Sequence, residues 1–251
     1  RTTTSGLPVF HDYKLYLIVI STILITAAGY MINDYYDVKI DYVNRPQNVV
    51  VGKGIKRRVV ILLHTILNFT AIGLGYLVSP TIALINFGAA FLLWLYSNQL
   101  KREPFIGNFT VALLTGVSIY LIGFYFQKSE LLVLTYAIFA FFLNLIREII
   151  KDIEDRQGDR KHGCRTLPIV IGFRRTKSVI FLIAAVFVCA ILVVTFKLNR
   201  PMIFIYFGGL GIFFSYFMYR IYIADRKDHF TKLSAMAKVL MLVGTISMGF
   251  L

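Results

Sequence analysis

The chain contains few of the residues that build disulfide frameworks and histidine metal sites. Its two cysteines, Cys164 and Cys189, lie in different segments, so no disulfide framework is indicated. The four histidines share no metal-ligand spacing, and none is placed as a convincing catalytic base. The sequence also lacks linkers and low-complexity segments, so we expect a single domain that spans residues 1–251.

Apolar residues, by contrast, make up 57% of the 251 residues and aromatic residues 15%, with a mean hydropathy of +0.70. This composition excludes an ordinary soluble domain and indicates an integral, multi-pass membrane protein. Helices are expected because each helix satisfies its own backbone hydrogen bonds within a bilayer. We therefore predict an all-α, polytopic transmembrane helical bundle of eight spans. The predicted spans are residues 13–34, 59–78, 81–97, 107–126, 130–150, 178–196, 201–223 and 233–251.

Acidic residues are scarce, because the chain has 27 Lys and Arg but only 13 Asp and Glu. Its net charge is therefore +14. The connections on one side of the predicted bundle hold 21 of the 27 basic residues. That asymmetry follows the positive-inside rule and places these connections in the cytoplasm, so no nucleic-acid partner is expected. The four basic connections are residues 35–58, 97–106, 147–177 and 220–232.

Six of the few acidic residues form two triplets with the same spacing, i, i+3, i+7, each after a long apolar stretch. The triplets are Asp34, Asp37 and Asp41, and Asp152, Asp155 and Asp159. On a helix, each triplet would form one stripe of carboxylates. Such stripes suit a hard divalent cation that binds an anionic substrate. The alternative is that they are helix-end acids paired with nearby basic residues, but their duplication at matching membrane positions favours the metal site.

Neighbouring residues refine this prediction. Asn33 adds a neutral oxygen donor to the first triplet, while Gly158 predicts a helix end just before Asp159. The two triplet-bearing spans are four spans apart and therefore run in the same direction. The predicted bundle thus has a central cavity with two facing Asp-rich helix ends, both on the cytoplasmic side.

A third cytoplasmic segment carries Tyr96, Lys101 and Arg102. The two cations could hold phosphate oxygens and Tyr96 could point into the cavity; alternatively, they are an interfacial tyrosine with ordinary basic flanks. Asn144, one turn before Arg147, is either a substrate contact or a helix-to-helix hydrogen-bonding residue, and the sequence leaves both interpretations open.

These motifs resemble those of the UbiA superfamily of intramembrane prenyltransferases. Residues 33–46 contain the Asn-Asp-x-x-Asp-x-x-x-Asp pattern of that family, and residues 152–168 resemble its second Asp-rich motif. The middle segment departs from the family pattern, since Tyr96 and Lys101 are five residues apart rather than four. Family members have nine spans with the first motif after the second span. The resemblance therefore implies that the family's first helix is missing from this sequence.

The resemblance also implies a chemistry, namely Mg²⁺-dependent transfer of a polyprenyl group from its diphosphate to a lipophilic acceptor among membrane lipids. The implied Mg²⁺ ligands are Asn33, Asp37, Asp41, Asp155 and Asp159, with Asp34 and Asp152 in support. The residues implied to bind the diphosphate are Lys101, Arg102, Arg147, Lys151, Arg45 and, as a polar contact, Asn144. The residues with implied catalytic roles are Asp37, Asp155, Lys101 and Tyr96.

The acceptor is the least constrained part of this prediction. Residues 147–155 and 50–53 look more like the branch that alkylates geranylgeranylglyceryl phosphate to make ether lipids. The alternative acceptors are the aromatic rings of quinone biosynthesis, 4-hydroxybenzoate or dihydroxynaphthoate. A different class of function, an ion-coupled membrane transporter, is disfavoured because both triplets lie on one membrane face rather than along a path across it.

Overall fold

Helices account for almost all of the computed structural model, which describes residues 12–44, 46–47, 49–127, 130–198 and 201–246. The α-helices in these ranges are α1 (Tyr13–Asn44), α2 (Arg57–Val78), α3 (Pro80–Asn98), α4 (Ile106–Phe126), α5 (Glu130–Lys161), α6 (Leu167–Val170), α7 (Phe173–Leu198), α8 (Pro201–Ile223) and α9 (Lys227–Ile246). A short 3₁₀ turn, Leu100–Arg102, follows α3. The prediction of an all-helical protein is therefore confirmed.

Seven of the helices, α1 to α5, α7 and α8, are long and apolar enough to cross a membrane. They coincide with the first seven predicted spans, so the chain is an integral, multi-pass membrane protein. The eighth predicted span, residues 233–251, overlaps α9, which falls outside that set. Lys232 and Lys238 lie along α9, and residues 247–251 lie outside the described residues.

The chain divides into two compact units, Arg1–Leu100 and Lys101–Leu251. In the first unit, α1 packs on both α2 and α3. Ser79 starts α3 by accepting a hydrogen bond from the backbone N–H of Ile82 at 3.2 Å. Buried Asn86 on α3 donates to the backbone carbonyl of Ala71 on α2 at 3.0 Å, and Gly75 lets the two helices approach closely.

In the second unit, α5 is the central helix and packs against α4, α7 and α9. Buried residues make up 67% of its apolar stretch, against 39% or less in the other spanning helices. Leu143, Ile146 and Ile150 are completely buried in this core. Gly116 on α4 lies so close to α5 that a methyl group there would meet the Ala137 carbonyl oxygen at 3.1 Å. Small residues thus let α4 and α5 pack tightly.

The two Asp-bearing helices are unusually long. α1 and α5 each contain 32 residues, or about 48 Å at 1.5 Å per residue, whereas the hydrocarbon core is about 30 Å thick. Both helices continue about ten residues past the ends of their predicted spans at residues 34 and 150. The acidic motifs are therefore helical and lie at the ends of helices that are longer than the membrane is thick.

Candidate functional site

The first acidic motif lies on the last three turns of α1 in the first unit. Asn33, Asp37 and Asp41 follow one another at intervals of four residues, and all three side chains are half-buried. Asp34, one position round the helix, is exposed. The three residues that share a face thus present an amide oxygen and two carboxylates along one side of α1.

Basic side chains gather in the connection that follows α1 and at the start of α2. The Arg57 guanidinium lies 5.2 Å from the ring centroid of Tyr35, and the Lys53 ammonium lies 4.9 Å from that of Tyr42. Gly52, with φ of +89°, allows the tight turn that carries Lys53. Predicted Arg45 lies outside the described residues.

The second acidic motif lies on the last turns of α5 in the second unit. Asp152 and Asp155 are half-buried, and Asp159 is buried. The side-chain amide of Asn108, on α4, donates to Asp152 Oδ2 at 2.9 Å. This contact fixes one carboxylate oxygen of the motif and ties the acidic helix to its neighbour. Asn108 was missed in the sequence, although a buried polar residue inside the predicted span 107–126 is itself a signal of function.

The prediction of a helix end at Gly158 was wrong. α5 continues to Lys161, so Asp159 lies on the helix with the rest of its triplet. The helix closes at Gly163, whose φ is +74°. There the Cys164 N–H donates to the Asp159 carbonyl at 2.9 Å and the Gly163 N–H to the Arg160 carbonyl at 3.4 Å. These two bonds form a Schellman cap, which requires a residue in the left-handed region just after the helix. Gly163 is that residue, whereas Gly158 lies within the helix.

One turn before the second motif, α5 carries a cluster of three charged side chains. The Arg147 guanidinium donates through Nη1 to Glu148 Oε1, and Lys151 Nζ lies 3.3 Å from Glu148 Oε2. Glu148 is only 5% exposed. Arg147 Nε is buried and has no hydrogen-bond partner within the ranges that the structure describes. Arg147 and Lys151 were predicted as diphosphate contacts, whereas Glu148 was not singled out.

The polar residues at the other predicted positions make the following contacts. Asn144 donates to Thr115 Oγ1 on α4 at 2.9 Å, so the helix-to-helix interaction that the sequence left open is present. Tyr96 is half-buried on α3 in the first unit. Lys101 is half-buried and Arg102 exposed in the 3₁₀ turn, and the Arg102 carbonyl accepts from the Arg165 N–H at 2.7 Å. That bond ties this turn to the connection that follows α5.

The donor atoms of both motifs fit magnesium, since they are carboxylate oxygens with one amide oxygen on α1. No group of three or more His, Cys, Asp or Glu able to hold a metal ion is present among the described residues. Magnesium does not require such a group, because it usually keeps several waters and binds through one or two carboxylates plus substrate phosphates. Each acidic helix end therefore suits an ion whose remaining ligands are phosphate oxygens.

Comparison with known proteins adds independent evidence. A family model described as the UbiA prenyltransferase family matches residues 5–242. A relative from Methanosphaera stadtmanae, named digeranylgeranylglyceryl phosphate synthase, is 32% identical over 94% of this chain and 87% of its own length. The synthase of the same name from Pyrococcus abyssi is 41% identical over 66% of this chain, but this match spans only 60% of that relative.

A solved structure supports the same fold. It is described as giving structural and mechanistic insights into the biosynthesis of digeranylgeranylglyceryl phosphate synthase in membranes. It superimposes with a TM-score of 0.74 and 26% sequence identity, covering 94% of this chain and 84% of the other. The similarity therefore extends over nearly the whole chain.

Proposed function

This chain belongs to the UbiA prenyltransferase family, and from that premise we propose that it prenylates a glycerol phosphate lipid. The proposed reaction transfers a geranylgeranyl group from its diphosphate to the hydroxyl of geranylgeranylglyceryl phosphate, which makes an ether lipid. One observation carries the choice of acceptor: the relative from Methanosphaera stadtmanae that is named digeranylgeranylglyceryl phosphate synthase is 32% identical along 94% of this chain. The proposed domain is the whole chain, residues 1–251, and the proposed catalytic face is the cytoplasmic one, because the basic connections lie there.

The two acidic helix ends are the proposed Mg²⁺ sites. The proposed ligands are Asn33, Asp37 and Asp41 on α1, and Asp155 and Asp159 on α5, with Asp34 and Asp152 in support. Bound Mg²⁺ supplies positive charge to a diphosphate leaving group. Asn108 contributes by holding Asp152 Oδ2 in one orientation, as hydrogen bonds to metal-binding carboxylates generally do.

Basic side chains bind and neutralise the departing diphosphate. Arg147 and Lys151 lie on the acidic helix itself, and Lys101 and Arg102 lie on the turn tied to its far end. The allylic carbon to oxygen bond breaks with its electron pair going to the diphosphate. Positive charges fixed beside that oxygen stabilise the charge that develops there.

The acceptor oxygen then forms the new bond to the allylic carbon and gives up its proton to the released diphosphate. An apolar environment within the membrane excludes water, which would otherwise capture the allylic cation. Tyrosine rings can stabilise such a cation through their faces, and Tyr96 is the proposed catalytic tyrosine. Tyr35 and Tyr36, which pack edge to face at 5.3 Å, are further candidates for lining the chamber.

A product assay tests the proposal. The purified chain is incubated in detergent with geranylgeranyl diphosphate and, in separate reactions, geranylgeranylglyceryl phosphate, 4-hydroxybenzoate or dihydroxynaphthoate, and products are identified by mass spectrometry. We expect a Mg²⁺-dependent product only with the glycerol phosphate, lost when the metal is chelated. Prenylation of an aromatic acceptor alone would show that the acceptor is wrong. Absence of diphosphate release with every acceptor would show that prenyl transfer is wrong.

A further inference from the structure

Glu148 is buried between two cations that the proposed reaction uses. One carboxylate oxygen accepts from Arg147 Nη1 and the other lies 3.3 Å from Lys151 Nζ. Its side chain is 7% exposed, while those of Arg147 and Lys151 are 15% and 30% exposed. A carboxylate this deeply buried is costly unless it is paired, and here each oxygen has its own cation.

Glu148 is not the only carboxylate near these cations, because Asp155 and Asp152 also interact electrostatically with Lys151. Lys151 is therefore balanced by carboxylates of its own helix. Arg147 is the member of the cluster whose contacts point to a further ligand.

The geometry of Arg147 shows which of its edges can take that ligand. Arg147 binds Glu148 through Nη1, so Glu148 does not occupy the Nε–Nη2 edge of the guanidinium. Nε is buried and finds no acceptor in the described residues. A buried N–H without an acceptor is unfavourable, whereas the Nε–Nη2 edge provides two parallel donors for the oxygens of a phosphate.

The cluster is aligned with the second acidic motif. Glu148, Asp152, Asp155 and Asp159 are spaced i, i+4, i+7, i+11, so they lie on one face of α5. Glu148 precedes Asp152 by about 6 Å along the helix axis. Phosphate oxygens bound near the acidic motif would therefore lie close to the cations that Glu148 holds.

We propose that Glu148 is a positioning residue for the diphosphate: its two oxygens hold Arg147 and Lys151 in place so that their remaining donors face the phosphate oxygens. The inference rests on the proposed function, because it takes prenyl diphosphate as the anion. Glu148 does not touch the substrate and acts only through the two cations.

The test is Glu148→Gln, which keeps the shape of the side chain and removes its charge. We expect the KM for geranylgeranyl diphosphate to rise about tenfold, with the loss lying mainly in KM because substrate binding is what misaligned cations weaken. The Kd of inorganic pyrophosphate with Mg²⁺, measured by titration calorimetry, should rise by a similar factor. Removing a negative charge by itself would strengthen anion binding, so tighter or unchanged binding overturns the proposal.

Glu154→Gln is the matched control. Glu154 is also buried on α5, but it accepts from Thr231 Oγ1 at 3.1 Å and lies on another face of the helix. This variant should keep the wild-type KM and pyrophosphate affinity; an equal loss in both variants would mean that Glu148 serves only the fold. If Glu148→Gln does not fold, Arg147→Lys serves as the test, because it removes the Nε–Nη2 edge and keeps the charge. This variant should also weaken pyrophosphate binding, and unchanged binding would refute the proposal. Pyrophosphate binding can be measured without prenyl transfer. If the wild-type chain bound pyrophosphate but transferred no prenyl group, the proposed function would be wrong, and the role of Glu148 could still be tested by the binding measurement.

Discussion

Replacing Asn108 with alanine tests whether the α4 amide supports metal binding by the second acidic motif. In the structure the side-chain N–H of Asn108 donates to Asp152 Oδ2 at 2.9 Å, and Asn108 is only 6% exposed. The alanine variant removes this donor and leaves the carboxylate free to turn away from its orientation. We expect weaker Mg²⁺ binding, and a chain that still folds.

The magnitude follows from the type of bond. A hydrogen bond to a charged group contributes about 1.5–3 kcal/mol. Removing the hydrogen-bonding partner of a metal-binding side chain typically reduces metal affinity or activity about 10–100-fold. The two estimates agree, because 1.4 kcal/mol corresponds to about a factor of ten. The Mg²⁺ concentration that gives half-maximal prenyl transfer should therefore rise about tenfold or more.

The measurement is the Mg²⁺ dependence of product formation, with Mg²⁺ and pyrophosphate binding followed by calorimetry. Asn86→Ala is the matched control, since Asn86 is also buried and also joins two helices, but it donates to a backbone carbonyl. That variant should lower the thermal unfolding temperature and leave the Mg²⁺ dependence unchanged. Equal Mg²⁺ dependence in wild type and Asn108→Ala would refute the assignment of Asn108 to the metal site.

Four further substitutions, with Gly73→Ala as a control, test the structure and the proposed site. Asp37→Ala and Asp155→Ala should each lower the rate of prenyl transfer about a hundredfold or more while the unfolding temperature stays near that of the wild type; retained activity would contradict the Mg²⁺ assignment. Gly75→Ala would place a methyl group 2.5 Å from Asn86 Nδ2 and 3.3 Å from the Ala83 backbone, so unfolding in detergent should require about 1–3 kcal/mol less free energy. A methyl group at Gly73 meets nothing within 4 Å, so Gly73→Ala should leave the unfolding free energy unchanged. Similar losses of unfolding free energy in Gly73→Ala and Gly75→Ala would argue against the α2–α3 packing. Gly163→Ala should cost about 1–2 kcal/mol, because alanine is disfavoured at a φ of +74°, and an unchanged unfolding free energy would contradict the cap at the end of α5.

The sequence predicted the helices that carry chemistry better than the points at which they stop. Apolar stretches of membrane-spanning length mark α1 and α5, and the regular spacing of their aspartates extends the helices beyond the membrane. Gly158 misled the prediction because a glycine within a helix and a glycine at its cap look alike in sequence. The structure distinguishes them, since the left-handed conformation falls on Gly163 instead.

The residues that were missed depend on contacts between distant parts of the chain. Asn108 meets Asp152 across 44 positions of sequence, and nothing near either residue specifies that pair. Glu148 lies within the motif of residues 147–155 that the sequence analysis picked out. Its ion pairs with both Arg147 and Lys151 depend on side-chain rotamers, which the sequence pattern does not specify. The composition of α9 sets it apart from the seven spanning helices, because lysines interrupt its otherwise apolar sequence.

The bond between the Arg165 N–H and the Arg102 carbonyl has a practical consequence for protein engineering. Because it joins two backbones, it persists whatever side chains occupy positions 102 and 165, with proline at 165 as the exception. Hybrid enzymes that exchange the loop before α4 between relatives should therefore keep this bond, provided that the new loop has the same length and backbone path. A swapped loop of different length would move the carbonyl at position 102 away from the N–H at position 165 and displace Lys101, even if every proposed substrate-binding side chain were retained.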